Sequence, residues 1–182
     1  MRSAQDERRP RSSHIRGVSA CTEAKDNEPV WVEIVDADRA RELRRSVLRP
    51  FDPPGAPLPG DRVDDVVHFA ALAADGAVLS TCFVYADDWP YPALLPTHLP
   101  AVSPGWHLRQ MATDPAHRGR GAGSAVLQAV IAYVDERAGM LWCNARVPAI
   151  PFYERHGFAG VGDIHPDGDP PIPHRYLYRP PG

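Results

Sequence analysis

WHLRQMATDPAHRGRGAGSAVLQAVIAYV, residues 106–134, governs how the rest of the chain is understood. It opens as an extended segment and breaks at Asp114-Pro115. It then passes through a glycine-rich turn, Arg118-Gly119-Arg120-Gly121-Ala122-Gly123, and enters a segment with apolar residues at Val126, Leu127, Val130, Ile131 and Val134. That spacing lines one face of a helix. A strand, a glycine turn and a helix start together predict an anion site. The first helical N–H groups have no partner inside the helix, and the helix dipole favours negative charge there. Gly121 and Gly123 carry no side chain, so a phosphate can approach the backbone closely. Arg118 and Arg120 add positive charge beside it.

Phosphate ligands differ in what they require of such a turn. The mononucleotide loop needs Gly-Lys-Ser/Thr at its end, and this turn has no lysine. The dinucleotide fingerprint needs Gly-x-Gly-x-x-Gly. Counted from Gly119 its last position is Ser124, and counted from Gly121 it is Val126. No acidic residue closes a following strand to hold a ribose. What remains is Arg118-x-x-Gly121-x-Gly123.

The bulk properties are those of an ordinary globular chain. Its 182 residues fit one domain plus an arm, and 43% hydrophobic residues provide a core. A net charge of −3 gives no electrostatic case for nucleic acid or a membrane surface as partner. No apolar run approaches a membrane span, and the N-terminus lacks the apolar stretch of a secretory signal. Cys21, Cys82 and Cys143 are odd in number, widely spaced and without a Cys-x-x-Cys pair. They argue against a disulfide framework and a structural zinc site, and they suit a cytoplasmic protein.

Residues 1–28 are polar, rich in Arg and Ser, and without periodicity, which predicts a disordered N-terminal arm preceding a domain over residues 29–182. Within the domain, residues 30–35 read as a strand, Asp36 as an N-cap and residues 37–48 as a helix ended by Arg49-Pro50. Residues 51–59 carry four prolines and form a loop, a candidate wall of a substrate site. Residues 66–73 and 78–85 read as strands joined at Asp75-Gly76. Residues 86–105 form a second proline-rich loop, whose Trp89, Tyr91 and His98 either line a pocket or cover the sheet edge. Beyond the central unit, Gly139 fits a helix C′ position and residues 140–145 a buried strand. Pro148 begins a short helix ended by Gly157. Residues 158–164 form a strand, 166–173 a loop and 174–179 a last strand. The order is mixed α/β, antiparallel in its front half, with a parallel crossover at the glycine turn.

Arg118-x-x-Gly121-x-Gly123, placed after a strand ending Met-Ala-Thr-Asp-Pro, resembles the pyrophosphate-binding motif of the GNAT (Gcn5-related N-acetyltransferase) superfamily. A second segment is similar to that family as well: Asn144-Ala145-Arg146, then Phe152-Tyr153-Glu154-Arg155-His156-Gly157-Phe158. A third, Pro171-Ile172-Pro173-His174, resembles the Ile-Pro-His element of one bacterial subgroup. The resemblance implies a GNAT-like acyl-CoA N-acyltransferase fold: a central mixed sheet of about seven strands with flanking helices, splayed between strands 4 and 5. It implies acetyl-CoA as acetyl donor and no metal. Met111, Ala112 and Thr113 would bond the pantetheine arm, with Asn144 near it. Arg118, Gly119, Arg120, Gly121, Ala122, Gly123 and Ser124 would hold the pyrophosphate, and Tyr153 would face the thioester sulfur. The implied activity is direct acetyl transfer to a primary amine of a small molecule. The alternatives are a protein or peptide acceptor, or a non-catalytic acyl-CoA-binding module. A homodimer is a further expectation from the family.

Amide formation from a thioester needs a neutral amine, a polarised carbonyl and a proton for the departing thiolate. Tyr153 is the candidate acid, because a phenol with a pKa of about 10 can supply that proton; the alternative is a packing aromatic. His107 is the candidate base, or else a hydrogen-bonded strand histidine, with His68 and His174 as lesser candidates. Period two predicts that His107, Arg109 and Met111 share one face, where Arg109 could bind an acceptor carboxylate. Cys143 has no partner of cysteine-protease type, which argues against a covalent route.

Overall fold

The computed structural model describes residues 20–23, 29–53, 55–58, 60–61, 63, 65–96, 104–168 and 170–182. Its strands are β1 (Ala20–Glu23), β2 (Pro29–Val35), β3 (Val67–Leu72), β4 (Val78–Ala86), β5 (Gly105–Thr113), β6 (Met140–Arg146), β7 (Ala159–Asp167) and β8 (Ile172–Arg179). They form one sheet in the order β1-β2-β3-β4-β5-β6-β8-β7. Neighbours are antiparallel except β5 and β6, which are parallel. A parallel pair needs a crossover, and helix α2 (Ala122–Asp135) provides it. Helices α1 (Ala37–Leu48) and α3 (Ile150–Glu154) complete the flanking layers.

This is the mixed α/β order expected, with an eighth strand added. β1 lies inside residues 1–28 and pairs with β2, with Ala20 opposite Val32. The remainder of that expected arm is outside the described residues, as is His98. Strands 4 and 5 of the sequence reading are therefore β5 and β6.

The apolar stripe of α2 packs on one face of the sheet. Val126, Leu127, Val130 and Val134 are fully buried against Val32, Phe69, Cys82, Leu108, Leu141 and Cys143. Burying each aliphatic chain of this size contributes roughly 1.5–3 kcal/mol. The α1 face differs. The buried residues of α1 are Ala40 and Arg44, one helical turn apart, so a cation sits on the buried face of the helix.

Four local expectations change. Asp36 stands at the N-cap of α1 but makes no side-chain capping bond. Ala138, not Gly139, takes the left-handed conformation after α2, with φ +50°. Gly139 is needed for a different reason: a Cβ there would overlap the Trp106 ring. The expected loop over residues 166–173 shrinks to a hairpin turn, because β7 runs on to Asp167 and Pro166 pairs opposite Pro173. Proline is tolerated there because β7 is an edge strand.

The fourth change concerns the central strand. Gln110 has φ +52°, and the β4–β5 register shifts between Thr81 and Phe83. This is a bulge, and the extra residue inverts the alternation beyond it. His107 and Arg109 stay on the α1 face, opposite Tyr85 and Phe83. Met111 turns to the α2 face and packs on its core, so the three do not share a face.

Candidate active site

β5 and β6 pair only at their first residues: Gly105 with Met140, Trp106 with Leu141, and His107 with Trp142. Beyond that point they part. β5 continues to Thr113 paired with β4, and β6 continues to Arg146 paired with β8. Among the described residues, each strand thus keeps one hydrogen-bonding edge without a strand partner along the split. Backbone groups left this way need a partner.

The glycine turn stands at the end of β5. Asp114 accepts a bond from the Ala116 amide, 2.9 Å, which starts the short 3-10 turn Pro115–His117. Arg118, Gly119, Arg120 and Gly121 are exposed. Gly119 and Gly121 have φ +75° and +101°, a region L-residues rarely adopt. Gly121 is the N-cap of α2, and its carbonyl accepts the first helical bond, from the Ala125 amide at 2.9 Å. The amides of Ala122, Gly123 and Ser124 precede that bond and have no partner within the helix. A Cβ on Gly123 would stand 3.1 Å from Thr113 Oγ1 and 3.6 Å from Met111 Cε. The helix start is thus packed closely onto the end of β5. Thr113 is fixed in turn: Ser80 Oγ donates to the Ala112 carbonyl at 3.0 Å, which leaves the Thr113 hydroxyl to donate to Ser80, 2.9 Å away.

Tyr153 is buried on the α2 face, edge-on to Phe152 and Phe158. Burial raises its hydroxyl well above the ordinary phenol range, and the neighbouring Cys143 on β6 and Cys82 on β4 raise it further. These two thiols flank β5 on either side, so Tyr153 lies beneath the split, protonated at neutral pH. Burial likewise pushes both thiols far up, which leaves them unreactive. Asn144, on β6 beside the split, donates from Nδ2 to Asp167 at 2.8 Å, while its buried Oδ1 has no partner.

His107 sits at the crotch where β5 and β6 separate, stacked on Trp142 with ring centroids 3.5 Å apart. Its Nδ1 lies 3.1 Å from both the Tyr85 hydroxyl and Asp87. Burial, with the Arg109 charge, pushes His107 down to about 3; the Asp87 carboxylate, half in solvent, does not offset this. The ring is neutral at pH 7. Two tautomers are open: Nδ1–H donating to Asp87, or Nδ1 accepting from Tyr85. His68 is also buried, pushed down to about 4 by burial and then by Arg44, and His174, the third residue of β8, has its Nδ1 2.7 Å from the Ile172 carbonyl.

The candidates from Met111 to Ser124 run along and beyond the β5 side of the split, Asn144 stands on its β6 side and His107 at its closed end, while Tyr153 lies on the α2 face, opposite the face that carries His107. Sequence reasoning missed Gln110, Ser80, Tyr85 and Asp87. None belongs to a motif, and each matters only through a partner distant in sequence. Among the described residues no group of three His, Cys, Asp or Glu is placed to hold a metal.

The sheet parts between two parallel strands, and an amide-lined glycine turn stands at the end of one of them. Comparison with known proteins assigns the family. The acetyltransferase (GNAT) family model matches residues 33–158, and the chain belongs to that family. It is 30% identical over 145 residues to mycothiol acetyltransferase of Saccharomonospora viridis, a match covering 74% of this chain and 42% of that protein. The chain therefore spans about two fifths of that relative's length. Among solved structures, the GNAT domain of S. lividans PAT superposes with a TM-score of 0.63 at 20% identity, covering 89% of this chain and 96% of that one. The ribosomal-protein-S18-alanine N-acetyltransferase of Escherichia coli gives 0.62 at 17% identity, covering 84% and 94%. These likenesses show the GNAT acyl-CoA N-acyltransferase fold.

Proposed function

We propose that this protein transfers an acetyl group from acetyl-CoA directly to a primary amine of a small molecule. The observation that carries this is the parting of β5 from β6 after His107 and Trp142, with the turn from Arg118 to Ser124 at its outer end. The residues present fit the donor. Glycines with positive φ leave the turn open to a diphosphate, and Arg118 and Arg120 supply charge. The free edge of β5 at Met111 and Thr113 offers amides and carbonyls to a pantetheine arm, while the Ala112 carbonyl between them is taken by Ser80 on β4. The unpartnered Asn144 Oδ1 offers an acceptor on the other side. When bound, acetyl-CoA supplies an activated acetyl thioester and leaves as a thiol.

The chain's own residues supply the proton chemistry. Tyr153 keeps its proton at neutral pH, and although burial makes it a weaker acid than a free phenol, it is the donor proposed for the departing sulfur. His107, held in the tautomer with Nδ1–H on Asp87, presents Nε2 to take a proton from the incoming ammonium, directly or through water. A ring pushed down to about 3 is a weak base, so His107 relays the ammonium proton to solvent rather than keeping it. The small acceptor is supported by the β4–β5 connection. Trp89 is buried against Trp142 and Tyr176, and the Tyr176 hydroxyl donates to Tyr91 at 3.0 Å, which walls this side of the sheet with aromatics. The relative from S. viridis is named a mycothiol acetyltransferase, whereas the E. coli fold neighbour is named for a ribosomal-protein alanine. We infer membership of the Ile-Pro-His subgroup from Ile172-Pro173-His174, which begins β8 with His174 opposite Arg146 and His165. Buried free thiols at Cys82 and Cys143 suit a cytoplasmic enzyme.

The test is a CoA-release assay with acetyl-CoA over amines, amino acids, polyamines and peptides. Turnover on a small amine is expected. Turnover on peptides alone would replace the acceptor assignment, and CoA binding without turnover on any member would reduce the protein to a binding module.

A further inference from the structure

We propose that Arg44, fixed by Asp61, is the positioning residue that holds Gln110 in its left-handed conformation and so sets which backbone groups β5 presents to the split. The consequence for ligand binding rests on the acyl-CoA assignment above. The consequence for the strand itself does not.

A residue with a Cβ at φ +52° is strained, and the conformation persists only where its surroundings hold it there. Gln110 is held from the α1 side. Arg44 is fully buried, and its Nη1 donates to Gln110 Oε1 at 3.2 Å. Its Nη2 donates to Asp61 Oδ1 at 2.6 Å and to the Ala37 carbonyl at 3.3 Å. The guanidinium carbon lies 5.7 Å from the centroid of the Phe83 ring, and Phe83 pairs with Arg109 next to the bulge. Asp61 has further anchors of its own: Arg41 Nε donates to it at 3.1 Å and the Leu58 amide at 3.4 Å. Although burial alone would raise its pKa, the Arg44 hydrogen bond and charge hold its carboxyl below the usual range. The loop carrying Asp61 is seated by Gly60 at φ +93°, where any side chain would overlap the Phe83 ring. Helix α1, this loop, β4 and β5 therefore converge on one peptide.

A buried cation is a costly way to fill space. An apolar residue of similar volume packs as well or better where only stability matters. The arginine's use is directional: it reaches one side chain on the strand that forms an edge of the split. Without the bulge, strict alternation would put Met111 on the α1 face, away from α2 and Gly123.

Two measurements test this. Gln110→Ala removes the acceptor for Arg44 yet keeps the Cβ penalty. Gln110→Gly removes the acceptor and the penalty together. By calorimetry with CoA, Gln110→Ala is expected to bind about tenfold more weakly than wild type, with Gln110→Gly between them. Gln110→Glu, which retains an acceptor for Arg44, is expected to stay close to wild type. In an ordinary strand position glycine would be the worse substitution, so alanine binding as tightly as wild type, or more tightly than glycine, overturns the proposal. The second measurement needs no ligand. In the crystal structure of Gln110→Ala, the bulge is expected to slip and Met111 to leave the α2 face. An unchanged bulge overturns the positioning role. Failure of wild type to bind CoA while the bulge slips would instead overturn the acyl-CoA assignment and leave Arg44 as the strand's anchor.

Discussion

The two faces of this sheet bury side chains to different ends. Under α2 the contacts are apolar, from Val32 on β2 across to Cys143 on β6, and they supply the core. On the α1 face lie Arg44, His68 and His107, all buried; Arg44 and His107 bond partners distant in the chain, and His68 packs its ring on Phe83. The first face holds the sheet together and seats the glycine turn. The second shapes the strand that lines the split. A site formed where they meet gains rigidity from one side and directed polar groups from the other.

The largest effect is expected at the turn, where α2 begins. Gly121→Glu combines a left-handed backbone, φ +101°, with a negative charge at the proposed diphosphate position; Gly123→Glu adds charge in a space limited by Thr113. Either should lower CoA affinity by about a thousandfold or more, equivalent to roughly 4 kcal/mol. Unchanged calorimetric affinity in both would remove the turn from the donor site. Within the core face, Leu127→Ala should cost about 2–5 kcal/mol in denaturant unfolding. The neighbouring Gln128→Ala, exposed, should stay within about 0.5 kcal/mol. Equal losses at the two positions would contradict the one-sided burial of α2.

Tyr153→Phe should lower turnover about a hundredfold while CoA affinity is kept. A variant turning over at the wild-type rate on a proven acceptor would show that the acid is another group. The polar face is read by pH. His68 and His107 have folded pKa values of about 4 and about 3, below their unfolded value of 6.5. The unfolded chain therefore binds more protons between those values, and stability falls as pH drops below 6.5. At pH 5 each histidine should account for about 2 kcal/mol of lost stability. Replacing both by glutamine should flatten the pH 5–7 profile. A profile as steep as wild type would place the acid sensitivity elsewhere.

The α2 face was legible in the sequence because its signal is local. Val126 to Val134 repeat at helical spacing, Asp75-Gly76 marks its hairpin, and the glycines of the turn stand together within a few residues. Tyr153, Asn144 and His107 were legible as candidates through short motifs or strand position. The α1 face was not. Arg44 looks like any exposed helix arginine until Asp61 and Gln110, distant in the chain, close around it. The bulge at Gln110 had no glycine or asparagine to announce it, so period two put Met111 on the wrong face. β1 was hidden by its polar surroundings, since a short edge strand needs only the free edge of β2 to form.

The most direct measurement is a crystal structure of the wild-type protein with CoA. The expected result is a diphosphate within hydrogen-bonding distance of the amides between Gly119 and Ser124, with the pantetheine arm against the free edge of β5. A diphosphate bound elsewhere, with β5 and β6 closed on one another beyond His107 and Trp142, would contradict it.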